Sequence, residues 1–472
     1  MAAKQQIGEN YPPVVVTKTA PVYAKVLNPQ QVLSLSNLDR QCPLLMYLVL
    51  FYKPCLALQN LSLDSIFSSL KSGLEETLSF WYPAAGRLRL NPYNGKLNLW
   101  CNNGGAVLVE AVSQVKISEL GELSQYNEFF EKLVHKPEFH GDFSDMPLVV
   151  AQVTKFGCGG YSVGIGISHS LFDGPATYEF LSAWASHSAI IKQNNQLQSP
   201  VHQRGILVTQ KNIPNLSIPA TTRAAAIDHL YQLIKQATSD HHPNGRVQMQ
   251  GFNSSKVVLK TFQLSGAAIE RLKKKVFGDR RSSAGTTTFS CSSFELLAAH
   301  LWKARTEALG LKKETMVCLQ FAVDTRNKTV PPLPKGFSGN AYVLASVAIT
   351  VGELEQGSYK AIVGKIKEAK NSVNNEYVKA YIEALERQEQ GSQSHQLPPL
   401  RELTLVSDWT KMAFHKVGFI NREAVYASPL YPPVPHVAYF MQSPVDSGGV
   451  DVQIGLLPES VTIFSRYFLN CD

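Results

Sequence analysis

Hydrophobic positions along the chain recur with two periods, and each predicts a type of element. Tyr161, Val163, Ile165 and Ile167 alternate with Ser162, Gly164, Gly166 and Ser168, which predicts a strand with one bulky row and one nearly bare row. A bare row admits close approach of another backbone. Runs rich in β-branched and aromatic residues predict further strands over residues 13–18, 96–101, 105–111, 147–155, 256–263, 317–325, 341–350, 436–441 and 450–456. Helices are interleaved with them. Ser292 and Glu295 have the S-x-x-E spacing of a capping box, Phe294, Leu297, Ala298, Leu301 and Trp302 make one apolar face, and Gly310 offers the stop. A second helix is predicted from near Ser265 to Gly278, and residues 359–387 carry the charge density of an exposed helical pair. After the strand over 161–169, Pro175 suits a first helical turn, and Tyr178, Leu181 and Trp184 follow at helical spacing. The local order is strand, tight turn, helix.

The pattern as a whole is mixed α/β without an internal repeat of fixed period, so solenoid and propeller architectures fall away. Polar, turn-rich stretches at 193–217, 239–255, 278–287 and 388–399 read as loops or linkers. The first lies near mid-chain and is the expected interdomain crossover, with the boundary around 190–220. The length of 472 residues agrees with two domains at roughly 100–200 residues each.

Composition sharpens this. Hydrophobic residues make up 44 % and charged residues 17 %, below the roughly 25 % of an average globular protein, so there is ample material for large cores and global disorder is excluded. The longest apolar stretch, LLMYLVLFY at 44–52, falls well short of the about 20 residues of a membrane-spanning helix. The N-terminal residues lack a basic segment followed by an apolar one, so no secretory signal is expected. Seven scattered cysteines without a CxxC pair fit neither a disulfide framework nor a zinc site and are expected to be reduced thiols. The net charge of +8 is spread along the chain. Its densest basic stretch, RLKKKVFGDRR at 271–281, has a single aromatic, Phe277, rather than an interleaved set for stacking and reads as a solvated helix face, so no nucleic-acid partner is expected. A mild basic bias suits a protein that attracts an anionic small ligand.

The chemistry-bearing candidate is His169, at the exit of the strand with the bare row. An imidazole with an ordinary pKa near 6.5 can take a proton from a hydroxyl at neutral pH and return it to a leaving group. Asp173, four residues on, could orient the histidine, cap the helix or pair with an arginine to brace the turn. The bare H-x-x-x-D spacing is a short pattern, and an ordinary, structurally satisfied histidine competes with it. Other readings fail. Gly164-Ile165-Gly166 lacks the third glycine of a dinucleotide fingerprint, and neither a GxxxxGK[ST] loop nor a GxSxG elbow is present. The His241-His242 pair stands in a predicted loop with a single acidic neighbour, Asp240, and no cysteine beside it, which falls short of a ligand set, so no metal is expected.

Ordered blocks along nearly the whole chain resemble the plant BAHD acyl-CoA-dependent acyltransferases. They are LSNLD at 35–39, YPAAGRL at 82–88, CNNGGAVLVEA at 101–111, MPLVVAQVTKFGCGG at 146–160, SHSLFDG at 168–174, SSFELLAAHLWKAR at 292–305, DTRNK at 324–328, PPLPKGFSGNA at 331–341 and SDWTKM at 407–412. Within the family, SNLDRQCPLLMY, WYPAAGRL and SDWTKM are most similar to the brassinosteroid-acylating members, a small subgroup implicated in hormone inactivation.

The resemblance implies two similar α/β domains of the chloramphenicol-acetyltransferase type, each around a mixed sheet, with an active-site channel between them. On this basis the expected division is 1–195 for the first domain, 196–220 for the crossover and 221–472 for the second, with a segment near 375–405 packing against the first. Acyl-CoA, as co-substrate rather than resident cofactor, and a small alcohol would meet at His169. That residue would deprotonate the hydroxyl, the alkoxide would attack the thioester, and CoA thiolate would leave without an acyl-enzyme. Asp173 would support the site structurally, since in the family this aspartate points away from the ligand. Trp409 and Ser407 would line the channel, as would Met46 and Leu48 on the apolar strand aligned with the acceptor wall, for which a simple buried strand is the competing reading. A monomer in the cytoplasm is expected, with association at the endoplasmic reticulum surface left open.

One block departs from the family. Where DFGWG should stand, the chain reads Gly418-Phe419-Ile420-Asn421-Arg422, and only the phenylalanine survives. The missing aspartate normally braces the structure through an arginine, and Asp408, ten residues upstream, does not replace it directly. Members lacking this motif include proteins thought to act beside fatty-acid elongases, so a non-catalytic partner of lipid-elongating enzymes is the alternative reading. A transferase for hydroxycinnamoyl or fatty-alcohol substrates is the other.

Overall fold

The computed structural model describes residues 11–42, 44–54, 61–140, 142–189, 197–207, 257–278, 291–389, 402–419, 422–430 and 437–470. In chain order the strands are β1 (Val15–Val22), β2 (Gln31–Ser34), β3 (Leu45–Tyr52), β4 (Arg87–Leu90), β5 (Leu97–Cys101), β6 (Ala106–Ser113), β7 (Val149–Phe156) and β8 (Tyr161–Ser168). There follow β9 (Val258–Leu264), β10 (Met316–Asp324), β11 (Tyr342–Thr350), β12 (Leu403–Trp409), β13 (Tyr426–Leu430), β14 (Val437–Gln442) and β15 (Val450–Leu456). The α-helices are α1 (Asn37–Arg40), α2 (Leu63–Phe80), α3 (Gly174–His187), α4 (Gly266–Phe277), α5 (Ser293–Leu309), α6 (Val351–Gln356), α7 (Tyr359–Ser372), α8 (Asn375–Glu389) and α9 (Pro458–Leu469). The predicted loop at 239–255 lies outside the described residues, as do His241-His242 and most of the loops at 193–217, 278–287 and 388–399.

The chain divides into two compact units, the first formed by the described parts of Met1–Val208, Leu333–Asn340 and Met412–Tyr431 and the second by those of the remaining chain. The first is built on a six-stranded sheet of order β1-β6-β7-β8-β3-β13, in which β6 and β7 run parallel and the other pairs antiparallel. A small sheet, β2-β5-β4, accompanies it. The second unit holds a sheet of order β11-β10-β12-β14-β15-β9, parallel at β10–β12 and β12–β14 and antiparallel elsewhere. Both sheets are therefore mixed. The units are not contiguous in sequence. Residues 333–340 and 412–431, given to the C-terminal domain on sequence grounds, belong to the first unit: Asn340 bonds to Asp39 and to the His169 carbonyl, and β13 completes the sheet by pairing with β3. The described residues of 375–405 belong to the second.

Helix α5 forms as its signals predict. Ser292 accepts the Glu295 N–H, Glu295 reaches back to the Ser292 N–H at 2.9 Å, and Gly310 closes the helix in the left-handed conformation. The region 359–387 is two helices, but it is not exposed all round: the apolar row Ile362, Val363 and Ile366 of α7 is fully buried, since residues three and four apart share a helix face. Among the described residues no helix is long and apolar enough to cross a membrane.

Candidate active site

The bare row of β8 is filled from outside the strand. A methyl group on Gly164 would lie 2.0 Å from the Leu133 carbonyl oxygen, and one on Gly166 would lie 2.6 Å from the Tyr47 ring. Glycine at both positions lets a backbone segment and an aromatic ring close over this row, around a core that includes Phe51, Phe129, Phe130 and Leu133. The bulky row faces the other way, and there the register pairs Leu48 with Ile165 and Met46 with Ile167. Leu48 is buried and Met46 only partly so.

His169 continues the ladder by one step: its N–H donates to the Leu44 carbonyl at 2.9 Å, just beyond the Leu45–Ser168 pair. The residue is partly exposed, whereas all eight residues of β8 are buried. The chain then turns through Ser170, Leu171 and Phe172, with the Leu171 N–H bonded to the Ser168 carbonyl at 2.9 Å. Asp173 is the N-cap of α3: its carboxylate accepts the Ala176 N–H at 3.1 Å, and Pro175 sits in the first turn, where a missing N–H is harmless. Gly174 leaves room for Met412, whose sulfur would lie 2.7 Å from a methyl group there. Trp184, fully buried on α3, anchors the helix by donating to the Leu70 carbonyl of α2 at 2.8 Å.

The carbonyls of this turn are held by side chains from two remote segments, and a third segment anchors those side chains. Asn340 donates its Nδ2–H to the His169 carbonyl at 2.7 Å, and Arg204 donates from Nη2 to the Leu171 carbonyl at 2.6 Å. Both are tied to Asp39. Its Oδ1 accepts from Arg204 Nη1 at 2.7 Å and from the Asn340 backbone N–H and Nδ2–H, each at 3.0 Å. The other carboxylate oxygen accepts the N–H and hydroxyl of Ser36 in a capping box at the start of α1. The Arg204 and Asp39 side chains are each only 1 % exposed, so the pair is shielded from solvent and salt. Beside it, His202 donates from Nε2 to the Phe80 carbonyl at 2.9 Å and meets the Ser338 hydroxyl through Nδ1 at 2.7 Å, which pins 201–204 to 336–340. Carbonyls only accept, so Nε2 carries the proton.

Asp39, Arg204 and Asn340 were not singled out from the sequence. The S-x-x-D spacing inside LSNLD was a readable cap signal, but Arg204 stands in a stretch that reads as loop. Two further blocks resolve into one brace, in which Arg87 donates to the carbonyls of Gly86, Gly104 and Gly105 at 2.7–2.8 Å.

Ser407 and Trp409 lie on β12, in the second unit, on one face two residues apart. The indole N–H of Trp409 donates to the Ser407 hydroxyl at 3.0 Å, and its ring meets Tyr439 of β14 edge-on at 5.6 Å. Asp408, on the opposite face, accepts the N–H and hydroxyl of Thr410. Where DFGWG would stand, Phe419 is fully buried, with its ring edge-on to Trp184 at 4.7 Å. Tyr52 donates to the Val417 carbonyl at 2.9 Å, and burial pushes its phenol far above the ordinary value, so it stays a donor. Ile420 and Asn421 lie outside the described residues.

The signature of the Transferase family matches residues 13–469. The chain is a BAHD acyltransferase. It is 56 % identical over 458 residues to Brassinosteroid-related acyltransferase 1 of Arabidopsis thaliana, covering 94 % of each chain. The Fatty alcohol:caffeoyl-CoA acyltransferase of the same plant is 29 % identical, over 96 % of this chain and 97 % of that one. Among solved structures, vinorine synthase superposes with a TM-score of 0.69 at 18 % identity, covering 97 % of this acyltransferase and 98 % of that chain. TRI101 of F. graminearum in complex with ethyl coenzyme A gives 0.70 at 14 % identity, covering 92 % and 96 %. At such identities the likeness concerns the fold alone.

Proposed function

We propose that this acyltransferase moves an acyl group from acyl-CoA to a hydroxyl of a small apolar alcohol of the brassinosteroid class, with His169 as general base. The observation that carries the reading is the placing of His169: a partly exposed imidazole at the exit of a buried strand, with its own N–H and C=O both bonded at 2.7–2.9 Å. The imidazole takes the hydroxyl proton as the oxygen attacks the thioester carbonyl. The tetrahedral oxyanion collapses, the C–S bond breaks, and the imidazolium returns the proton to the leaving thiolate. Asp173 acts by shaping the turn. Met46 and Leu48, on the strand beside β8, belong to the apolar acceptor wall, and Ser407 and Trp409 to the channel lining. The identity to the brassinosteroid-related enzyme supports the acceptor class, and the buried Phe419 and bonded Val417 support a segment that stays in place without the DFGWG aspartate.

The test is release of free CoA thiol from acetyl-, lauroyl- or caffeoyl-CoA with a panel of brassinosteroids, fatty alcohols and phenolic acids, with products identified by mass spectrometry. A brassinosteroid ester is expected, and His169→Ala is expected to lower its formation by about 10²–10⁴-fold. Undiminished turnover in that variant would remove the general base. A product only with fatty alcohols or phenolic acids would move the acceptor class, and silence of the wild type on the whole panel would favour the non-catalytic partner of lipid-elongating enzymes.

A further inference from the structure

We infer that Asp39, Arg204 and Asn340 are positioning residues for acyl transfer, acting through the backbone carbonyls of residues 169 and 171 to aim the His169 imidazole. The inference rests on the reading of His169 as general base and adds residues that this reading does not need by itself.

Three segments far apart in the chain converge on one five-residue turn. Asn340 reaches the His169 carbonyl, Arg204 the Leu171 carbonyl, and Asp39 holds both donors on a single oxygen. A carbonyl bonded at a fixed point fixes the plane of its peptide. With the His169 N–H already committed to Leu44, both peptide planes flanking its Cα are set, and so is the direction of its Cα–Cβ bond. Stability alone is a poor account of the arrangement. A buried ion pair contributes little beyond an apolar packing of the same volume. Among the described residues, this one also leaves Arg204 Nε and Asn340 Oδ1 buried without a hydrogen-bond partner, which a network selected for stability would avoid. A cost of that kind is accepted where geometry matters, because a misplacement of about 1 Å at a reacting group can slow catalysis by about 100-fold.

The experiment is a double-mutant cycle between Asn340 and His169, run with full-length protein and the substrate pair that gives wild-type turnover in the panel above. Asn340→Ala keeps the backbone N–H on Asp39 but frees the His169 carbonyl. It should lower kcat by about 10-fold to 100-fold with KM changed less than about twofold. In the His169→Ala background the same substitution should cost almost nothing, because there is no imidazole left to aim. Arg204→Lys, which keeps the charge beside Asp39 but cannot fork to Leu171, should show a smaller loss of the same kind. Thr77→Ala removes a buried hydroxyl of the first unit away from the turn and serves as the control for lost stability.

Three results would overturn the inference: kcat of Asn340→Ala within twofold of wild type, an equal loss in the presence and absence of His169, or the same loss in Thr77→Ala at matched melting temperature. Full activity of His169→Ala would instead bring down the general-base reading, and the two failures are separable within one set of proteins.

Discussion

In the first unit β8 ends at Ser168 and α3 begins at Gly174; in the second, β15 ends at Leu456 and α9 begins at Pro458. Both strands are flanked by antiparallel neighbours, both give way to a helix with proline in its first turn, and both helices bury large side chains against a neighbouring helix. They differ in the hand-off. The second crossing spends one residue, Leu457, and has no side-chain cap. The first spends five, 169–173, and needs an aspartate cap, a glycine under Met412, two outside side chains to hold its carbonyls and a third, Asp39, to hold those two. The longer turn leaves a partly exposed histidine at the end of a buried strand, and the supporting residues are its structural cost.

The largest expected break in this comparison is Asp39→Ala, which strands the buried Arg204 guanidinium. A loss of about 3–5 kcal/mol is expected in urea unfolding, because one charge of a buried pair is left uncompensated. Nothing at the Leu457 hand-off has such a liability. Acid comes next. Burial lowers His202 to about 4, so it is neutral in the fold, while the unfolded chain takes up a proton near 6.5. The stability it contributes is complete above about pH 6.5 and is lost as pH falls toward 4. His202→Gln should therefore flatten the fall of Tm across that window, even if its Tm starts lower. The smallest effect sharpens the contrast between the helix starts: Asp173→Ala should cost at least the about 1 kcal/mol of a lost cap. Pro458→Ala should cost only a few tenths, about what a more flexible unfolded chain implies. Equal losses in calorimetry would show that the two hand-offs are held alike.

Much of this fold was legible where one row of residues decides it. The period-two pattern at 161–168 and the capping box at Ser292 each carry their own signal, and both elements stand where that signal put them. By contrast, β13 has two small residues and a proline among its five positions and becomes a strand only because β3 offers an edge. The central strand β12, whose last three residues open the SDWTKM block, carries no clear strand signal of its own, since its polar Ser407 and Asp408 break the apolar run. At the candidate site, His169 and Asp173 were visible because four residues separate them. Arg204 was invisible because its partners are 165 and 33 residues away, and nothing local marks a loop arginine that will be buried.

The late arrival of β13 has a consequence for how the polypeptide is made. The outer edge of β3 stays open until residues 426–430 have left the ribosome, so the N-terminal sheet cannot finish while the C-terminal half is being synthesised. Until then the nascent chain presents LMYLVLFY with one edge unpaired, the kind of edge that invites pairing with another chain.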